Sequence, residues 1–154
     1  MIQFEGSEPI SVPRTIRFQT PTNLDQLADV LGWFAQWHPP SIPESVWLRC
    51  QLALAEGFTN AVRHAHREFS PDVPIEIEVS LSAEMIEMRI FDRGSPFDLE
   101  QKLREMSPKT DRTATGGRGL KLMRDIADEL SYRRTPDGRN CLAIVKYVDP
   151  PPKC

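Results

Sequence analysis

"IEIEVSLSAEMIEMRIFD", residues 75–92, alternates apolar and polar side chains in two runs separated by a short polar break. Ile75, Ile77, Val79 and Leu81 share one parity, and after the break Ile86, Met88 and Ile90 line one face of the second run. A period of two marks a strand with one buried face, so the stretch predicts a β-hairpin. Asp92 shares its parity with Ile86, Met88 and Ile90, which aims its carboxylate at the apolar side. An unpaired buried charge is costly, so a carboxylate there needs a donor, and an adenine exocyclic amine would serve. Gly94, with no side chain, would let a flat base approach the backbone. Alternatively the strand stops short of Asp92, which then only opens a DRG turn.

Upstream, "RTIRFQT" (14–20) reads as a strand with Ile16 and Phe18 on one face. Thr20 and Pro21 are placed to cap and start a helix whose inward face is Leu24, Leu27, Ala28, Leu31, Phe34 and Ala35, ended by "HPP" (38–40). Ser41 with Glu44 has the spacing of a capping box, opening a second helix that runs to about Phe69. Trp47, Cys50, Leu54, Phe58, Ala61 and Ala65 fall in one stripe of that helix. Downstream, residues 98–115 are polar and aperiodic. "GGRGLKLMRDIADEL" (116–130) then enters a helix with Leu120, Met123, Ile126, Ala127 and Leu130 inward. "LSYRRT" and "NCLAIVKYV" flank the turn residues "PDGR" as a second hairpin. The order β α α β β, loop, α β β predicts an α+β fold. Its expected form is a two-layer sandwich, with a mixed, mostly antiparallel sheet carrying helices on one face.

Three stretches could carry chemistry. Glu56 and Asn60 are one turn apart on the second helix, nearly opposite its apolar stripe, with Arg63 beside them and His64 at the margin. A carboxylate can take a proton from a hydroxyl, and an amide oxygen suits Mg²⁺. The same row also fits a solvated helix face. "FDRGSPFD" (91–98) is the second stretch. "TGGRGL" (115–120) is the third: glycines ahead of an amphipathic helix leave backbone N–H groups facing outward for an anion, or else form a hinge. It is neither a Walker loop nor a Rossmann fingerprint in context. Taken one at a time, each has an ordinary structural explanation.

The 154 residues suit one domain, and 40% apolar with 27% charged residues is a foldable, unexceptional composition. With 19 basic against 22 acidic residues and no Lys/Arg block, direct nucleic-acid binding is not expected. No apolar run approaches the ~20 residues of a membrane span. The start lacks the apolar core of a secretory signal, and Cys50, Cys141 and Cys154 form no CxxC pair. A cytoplasmic location is the expectation. His38, His64 and His66 lack the HExxH spacing of a zinc hydrolase.

In their order and spacing, "ExxTNAxxHA" (56–65), "DxGxPFD" (92–98) and "GGRGLxLMRxxxDE" (116–129) resemble the N, G1 and G2 boxes of the Bergerat-fold ATPases. Within that group, which includes gyrase and the histidine kinases, they look most like the bacterial anti-sigma factor serine/threonine kinases. The resemblance spans about residues 14–148. It implies an ATP-binding kinase domain there, with residues 1–13 as an N-terminal extension, a lid at about 98–116 and a tail at 149–154. It implies ATP and Mg²⁺ as cofactors, Glu56 as catalytic base and Asn60 as Mg²⁺ ligand. Asp92 would read the adenine with Gly94 beside it, and Gly117, Arg118, Gly119 and Leu120 would lie along the phosphates. The implied partners are a STAS-type anti-anti-sigma protein as phosphoacceptor and a sigma factor, with the kinase acting as a homodimer. A nucleotide-binding regulator that sequesters a partner without phosphorylating it is the alternative. The chain departs from the pattern in three places, one being that no lysine in the lid is clearly placed to grip the γ-phosphate. Pro96 replaces a second G1 glycine, and "CLAIVKY" offers no Thr to help hold the base.

Overall fold

The computed structural model describes residues 13–105 and 117–148. Residues 1–12, 106–116 and 149–154 lie outside the described residues, and with them most of the extension expected at 1–13, part of the lid expected at about 98–116 and the expected tail. Five strands form one sheet: β1 (Arg14–Thr20), β2 (Ile75–Leu81), β3 (Met85–Asp92), β4 (Glu129–Arg134) and β5 (Asn140–Tyr147). Their order is β1-β2-β3-β5-β4, and every pairing is antiparallel. Ile16 lies opposite Val79 and Ile77 opposite Ile90, so the apolar parities of the first three strands fall on one face. The last strand, β5, inserts between β3 and the edge strand β4, which sets Asn140 opposite Asp92.

Three helices cover the apolar face: α1 (Leu27–Ala35), α2 (Glu44–Asn60) and, beyond a short α3 (Leu99–Glu105), α4 (Gly117–Ile126). Trp47, Cys50, Leu54 and Phe58 of α2 meet Ile77, Met88, Ile90 and Ile144 of the sheet in one core. All eight are essentially inaccessible to solvent. Burying a side chain of this size contributes roughly 1.5–3 kcal/mol, which makes the α2 stripe a major source of cohesion. The other face is polar. Arg17 pairs with Glu78 at 3.0 Å, Glu78 with Arg89 at 3.3 Å and Arg89 with Glu87 at 2.8 Å. This is the expected α+β sandwich, with an entirely antiparallel sheet.

Several boundaries differ from the sequence expectation, each for a local reason. Thr20 ends β1, and the cap is Asn23, whose side chain accepts the Asp25 N–H at 2.9 Å. The chain then enters α1 through a 3-10 turn, Leu24–Gln26, which turns about 20° more per residue than an α-helix. The helix is thereby rotated: Val30 and Phe34 face the core, while Ala28 and Ala35 point outward. Helix α2 begins after Pro43 with no side-chain cap, so the Ser41/Glu44 box does not form. Residues 39–42 make their own turn instead, with the Ile42 N–H donating to the Pro39 carbonyl at 3.1 Å and Ile42 buried.

The regular part of α2 ends at Asn60. A π-type turn, Ala61–Ala65, follows and closes with the His66 N–H on the Ala61 carbonyl at 2.9 Å. Residues 99–105, expected to be aperiodic, form α3, whose first turn is held by Asp98 accepting the Gln101 N–H at 3.0 Å. Helix α4 stops at Ile126, because the Asp128 N–H already bonds the Val145 carbonyl at 2.8 Å, and Leu130 belongs to β4.

Candidate functional site

The C-terminal end of α2, the end of β3 and the first turn of α4 converge at one end of the sandwich. Gly57 is the point of closest approach: a Cβ there would lie 2.3 Å from Ile90 Cδ1, 3.5 Å from Leu142 Cδ2 and 3.6 Å from Met123 Sδ. The residue just before it, Glu56, is half-buried and directs its carboxylate at α4. A Cβ on Gly119 would come within 2.7 Å of Glu56 Oε2. The carboxylate thus sits against the helix start where the glycine motif leaves room. The first four N–H groups of a helix have no acceptor within it, which at α4 are those of residues 117–120. Leu120 is 3% exposed and packs into the core, so its backbone alone faces this end. Asn60 stands one turn beyond Glu56 at the last α-helical position, and its amide caps nothing in the π-type turn that follows.

Asp92 is 5% exposed, as its parity requires, and β3 extends to include it. Its Oδ1 accepts two bonds, from the Gly94 N–H at 2.9 Å and from Asn140 Nδ2 at 2.8 Å. Gly94 plays a different part from the one expected. The space beside it is filled by α2's extension, and a Cβ there would meet the Ala65 carbonyl oxygen at 2.2 Å. The missing side chain lets the loop pack against the π-type turn. Next to Asp92, the ring of Phe97 lies 4.3 Å from that of Tyr132, with Lys102 Nζ 5.4 Å from the Phe97 ring centre. The Tyr132 hydroxyl is buried and has no hydrogen-bond partner of ordinary geometry among the described residues. Burial first, then the Asp92 charge, pushes its pKa up, so it stays a neutral donor.

Two residues that the sequence reading left out of the site hold it in shape. Asn140 is fully buried at the start of β5. A lone Asn after a PDG turn is ordinary turn chemistry, so nothing in the sequence marks it. His66 is 1% exposed, brought inward by the extra residue of the π-type turn. Its Nδ1–H donates to Thr22 Oγ1 at 2.9 Å, the Thr22 hydroxyl donates on to the Val73 carbonyl, and the Arg93 N–H donates to His66 Nε2 at 2.7 Å. All three bonds are satisfied by one neutral tautomer. The imidazole therefore clasps the backbone between Asp92 and Gly94 to the far side of the helix layer.

Burial holds the His66 pKa below its ordinary 6.5, partly opposed by the Asp92 charge and aided by Arg93. The unfolded chain then takes up a proton at a higher pH than the folded one. Stability from this site is complete above about pH 6.5 and is lost as pH falls through the lower folded value. Melting temperature should accordingly decline between pH 7.5 and 5.5, and less steeply in His66→Gln, as scanning calorimetry would show. His64 is shifted the same way by burial and by Lys102, Arg63 and Arg67, so part of the slope should persist. Equal slopes in the two proteins would remove His66 from this role.

Among the described residues, no group of three His, Cys, Asp or Glu could hold a metal ion. The donor set fits a different kind of ion. Mg²⁺ held mainly by phosphate oxygens needs only one or two protein oxygens, and Asn60 offers one. A carboxylate with an oxygen to spare, a buried hydroxyl and the N–H groups of a helix start together fit a nucleotide. Among the described residues, no helix is long and apolar enough to cross a membrane.

Over 104 residues the chain is 33% identical to the serine-protein kinase RsbW of Bacillus subtilis, a match covering 64% of this chain and 63% of that protein. It is 31% identical over 104 residues to the protein of the same name from Listeria innocua, covering 64% of each. The chain thus spans under two thirds of the length of these relatives. A crystal structure of the RsbU and RsbW domains of Rv1364c from Mycobacterium tuberculosis superposes with a TM-score of 0.61 at 15% identity. That match covers 89% of this chain and 33% of the other, and it shows that the fold is shared. The model of the histidine kinase-like ATPase domain matches residues 20–146, and on the strength of that match the chain belongs to the histidine kinase-like ATPase domain family.

Proposed function

We propose that this protein is a serine/threonine protein kinase of the anti-sigma type, which binds Mg-ATP and phosphorylates a STAS-type anti-anti-sigma protein. The observation that carries this is the Glu56 carboxylate lying against Gly119 at the start of α4, at the same end of the sandwich as Asp92. Similarity to serine-protein kinases supports the acceptor class. A sigma factor is the second partner, and the active form is a homodimer, as the motif resemblance implies.

Bound Mg-ATP supplies the phosphoryl group and the cation that neutralises its charge. Asp92 accepts a hydrogen bond from the base, the N–H groups at the start of α4 face the phosphates, and Arg118 contributes to phosphate binding as the motif resemblance implies. Asn60 supplies an oxygen to the cation. Glu56 orients the acceptor hydroxyl and takes its proton as the oxygen–phosphorus bond forms and the bond to the departing diphosphate breaks.

Mg-ATP at a hundredfold excess over Kd should raise the melting temperature by about 5–10 °C. Labelled γ-phosphate should then pass to a serine of the cognate STAS protein. An unchanged melting temperature at millimolar nucleotide sinks the proposal. Stabilisation without transfer leaves a non-catalytic nucleotide-binding regulator.

A further inference from the structure

The Asn140 side chain makes three hydrogen bonds in a place where a strand ordinarily buries an apolar side chain. It is the first residue of β5, it lies opposite Asp92 in the sheet, and none of its surface reaches solvent. Its Nδ2 donates to Asp92 Oδ1 and to the Gly94 carbonyl, both at 2.8 Å. Its Oδ1 accepts from Arg134 Nη1 at 3.2 Å, and the same Nη1 reaches the Gly94 carbonyl at 3.4 Å. An amide can be placed either way round, but here one orientation alone is satisfied. Reversed, Oδ1 would face two acceptors and the NH₂ would face a guanidinium.

The consequence falls on Asp92. With Asn140 Nδ2 and the Gly94 N–H both on Oδ1, the carboxylate cannot turn about its Cβ–Cγ bond without losing two buried bonds. Oδ2 is then the oxygen available to a ligand, held in one direction and able only to accept. A purine with a 6-amino group meets it with a donor; a 6-oxo purine meets it with a second acceptor. A carboxylate free to rotate, or to exchange which oxygen it presents, would discriminate less well. From this geometry, and resting on the assignment of Asp92 as the base-reading group, we infer that Asn140 is the residue that sets adenine over guanine preference. Arg134 acts behind it by fixing the amide. Neither touches the base; both are positioning residues. The hydroxyl sought along "CLAIVKY" is thereby replaced by an amide one residue earlier.

A purely structural role is the competing explanation, because a buried amide that loses its partners destabilises any fold. Base selectivity separates the two, since general loosening weakens all nucleotides alike. In Asn140→Asp the shape is kept while the donor toward Asp92 becomes an acceptor. Fluorescent-nucleotide titration of the full chain should show ATP affinity falling about 30-fold and GTP affinity changing less than about threefold. The preference for ATP should therefore shrink by about tenfold. Arg134 is exposed, so Arg134→Met leaves the core intact and covers the case in which Asn140→Asp does not fold. That variant should lose about threefold of the ATP preference, with a melting temperature lowered by a few degrees because the Asn140 Oδ1 loses its donor.

An unaltered ATP-to-GTP ratio in Arg134→Met and in any folded Asn140→Asp overturns the inference. Asp92→Asn is the control that tells the two levels apart. If it binds ATP normally, the base-reading assignment fails and this inference fails with it. If it loses ATP while the other two variants keep the wild-type ratio, the inference alone is wrong.

Discussion

Glu56→Gln should bind Mg-ATP as the parent does and transfer phosphate about 10²–10⁴-fold more slowly, the range over which a positioned general base contributes. The substitution preserves shape, so the close fit between the side chain and Gly119 persists. What disappears is the ability to take a proton. An amide can still orient the acceptor hydroxyl through its oxygen, which is why transfer should slow rather than vanish. Single-turnover measurement with saturating acceptor isolates the chemical step from binding. A Gln variant that transfers phosphate at the parental rate would show that Glu56 is not the base, whatever its proximity to α4.

Asp92→Asn should weaken ATP binding by about 100-fold while leaving the fold intact. Asparagine can place its carbonyl oxygen where Oδ1 now lies, retaining the bonds from the Gly94 N–H and Asn140 Nδ2. The NH₂ is then forced into the position of Oδ2. Toward the ligand, an acceptor has become a donor, and it opposes the donor of a 6-amino purine. The internal network thus dictates which way the new amide points, so the loss should appear in nucleotide affinity and not in the melting temperature of the unliganded protein. Calorimetric titration and a thermal melt on the same sample check both halves. Unchanged affinity would mean that the buried carboxylate serves the sheet alone.

The elements that the sequence revealed best are those whose evidence lies within a few residues. Both strands of the hairpin at 75–92 have the boundaries that alternation implies, and the burial of Asp92 followed from parity alone. The α2 stripe from Trp47 to Ala61 is buried as its spacing requires. Boundaries were lost where a second interaction competed with the local pattern. Ile42 prefers the core to a capping box, the 3-10 turn at Leu24–Gln26 re-phases α1, and β5 claims the chain at Asp128 before α4 can continue. Glu56, Asn60, Asp92 and the glycines at 117 and 119, whose roles are proposals, were singled out by the spacing of their motifs. His66 and Asn140 were not, since each works through partners that are remote in the chain: Thr22 and Arg93 for one, Asp92 and Arg134 for the other.

By itself, then, the sequence determined which residues face inward on the hairpin strands and along α2, because backbone periodicity and the aversion of apolar groups to water act over one or two turns. Only the tertiary structure decided that β5 lies between β3 and β4, that the turn after Asn60 is wide enough to bring the Ala65 carbonyl onto Gly94, and that Glu56 meets Gly119. Strand neighbours and helix approach distances are settled by the joint demand that every buried polar group find a partner and every apolar face a cover. That demand is met by the whole chain at once.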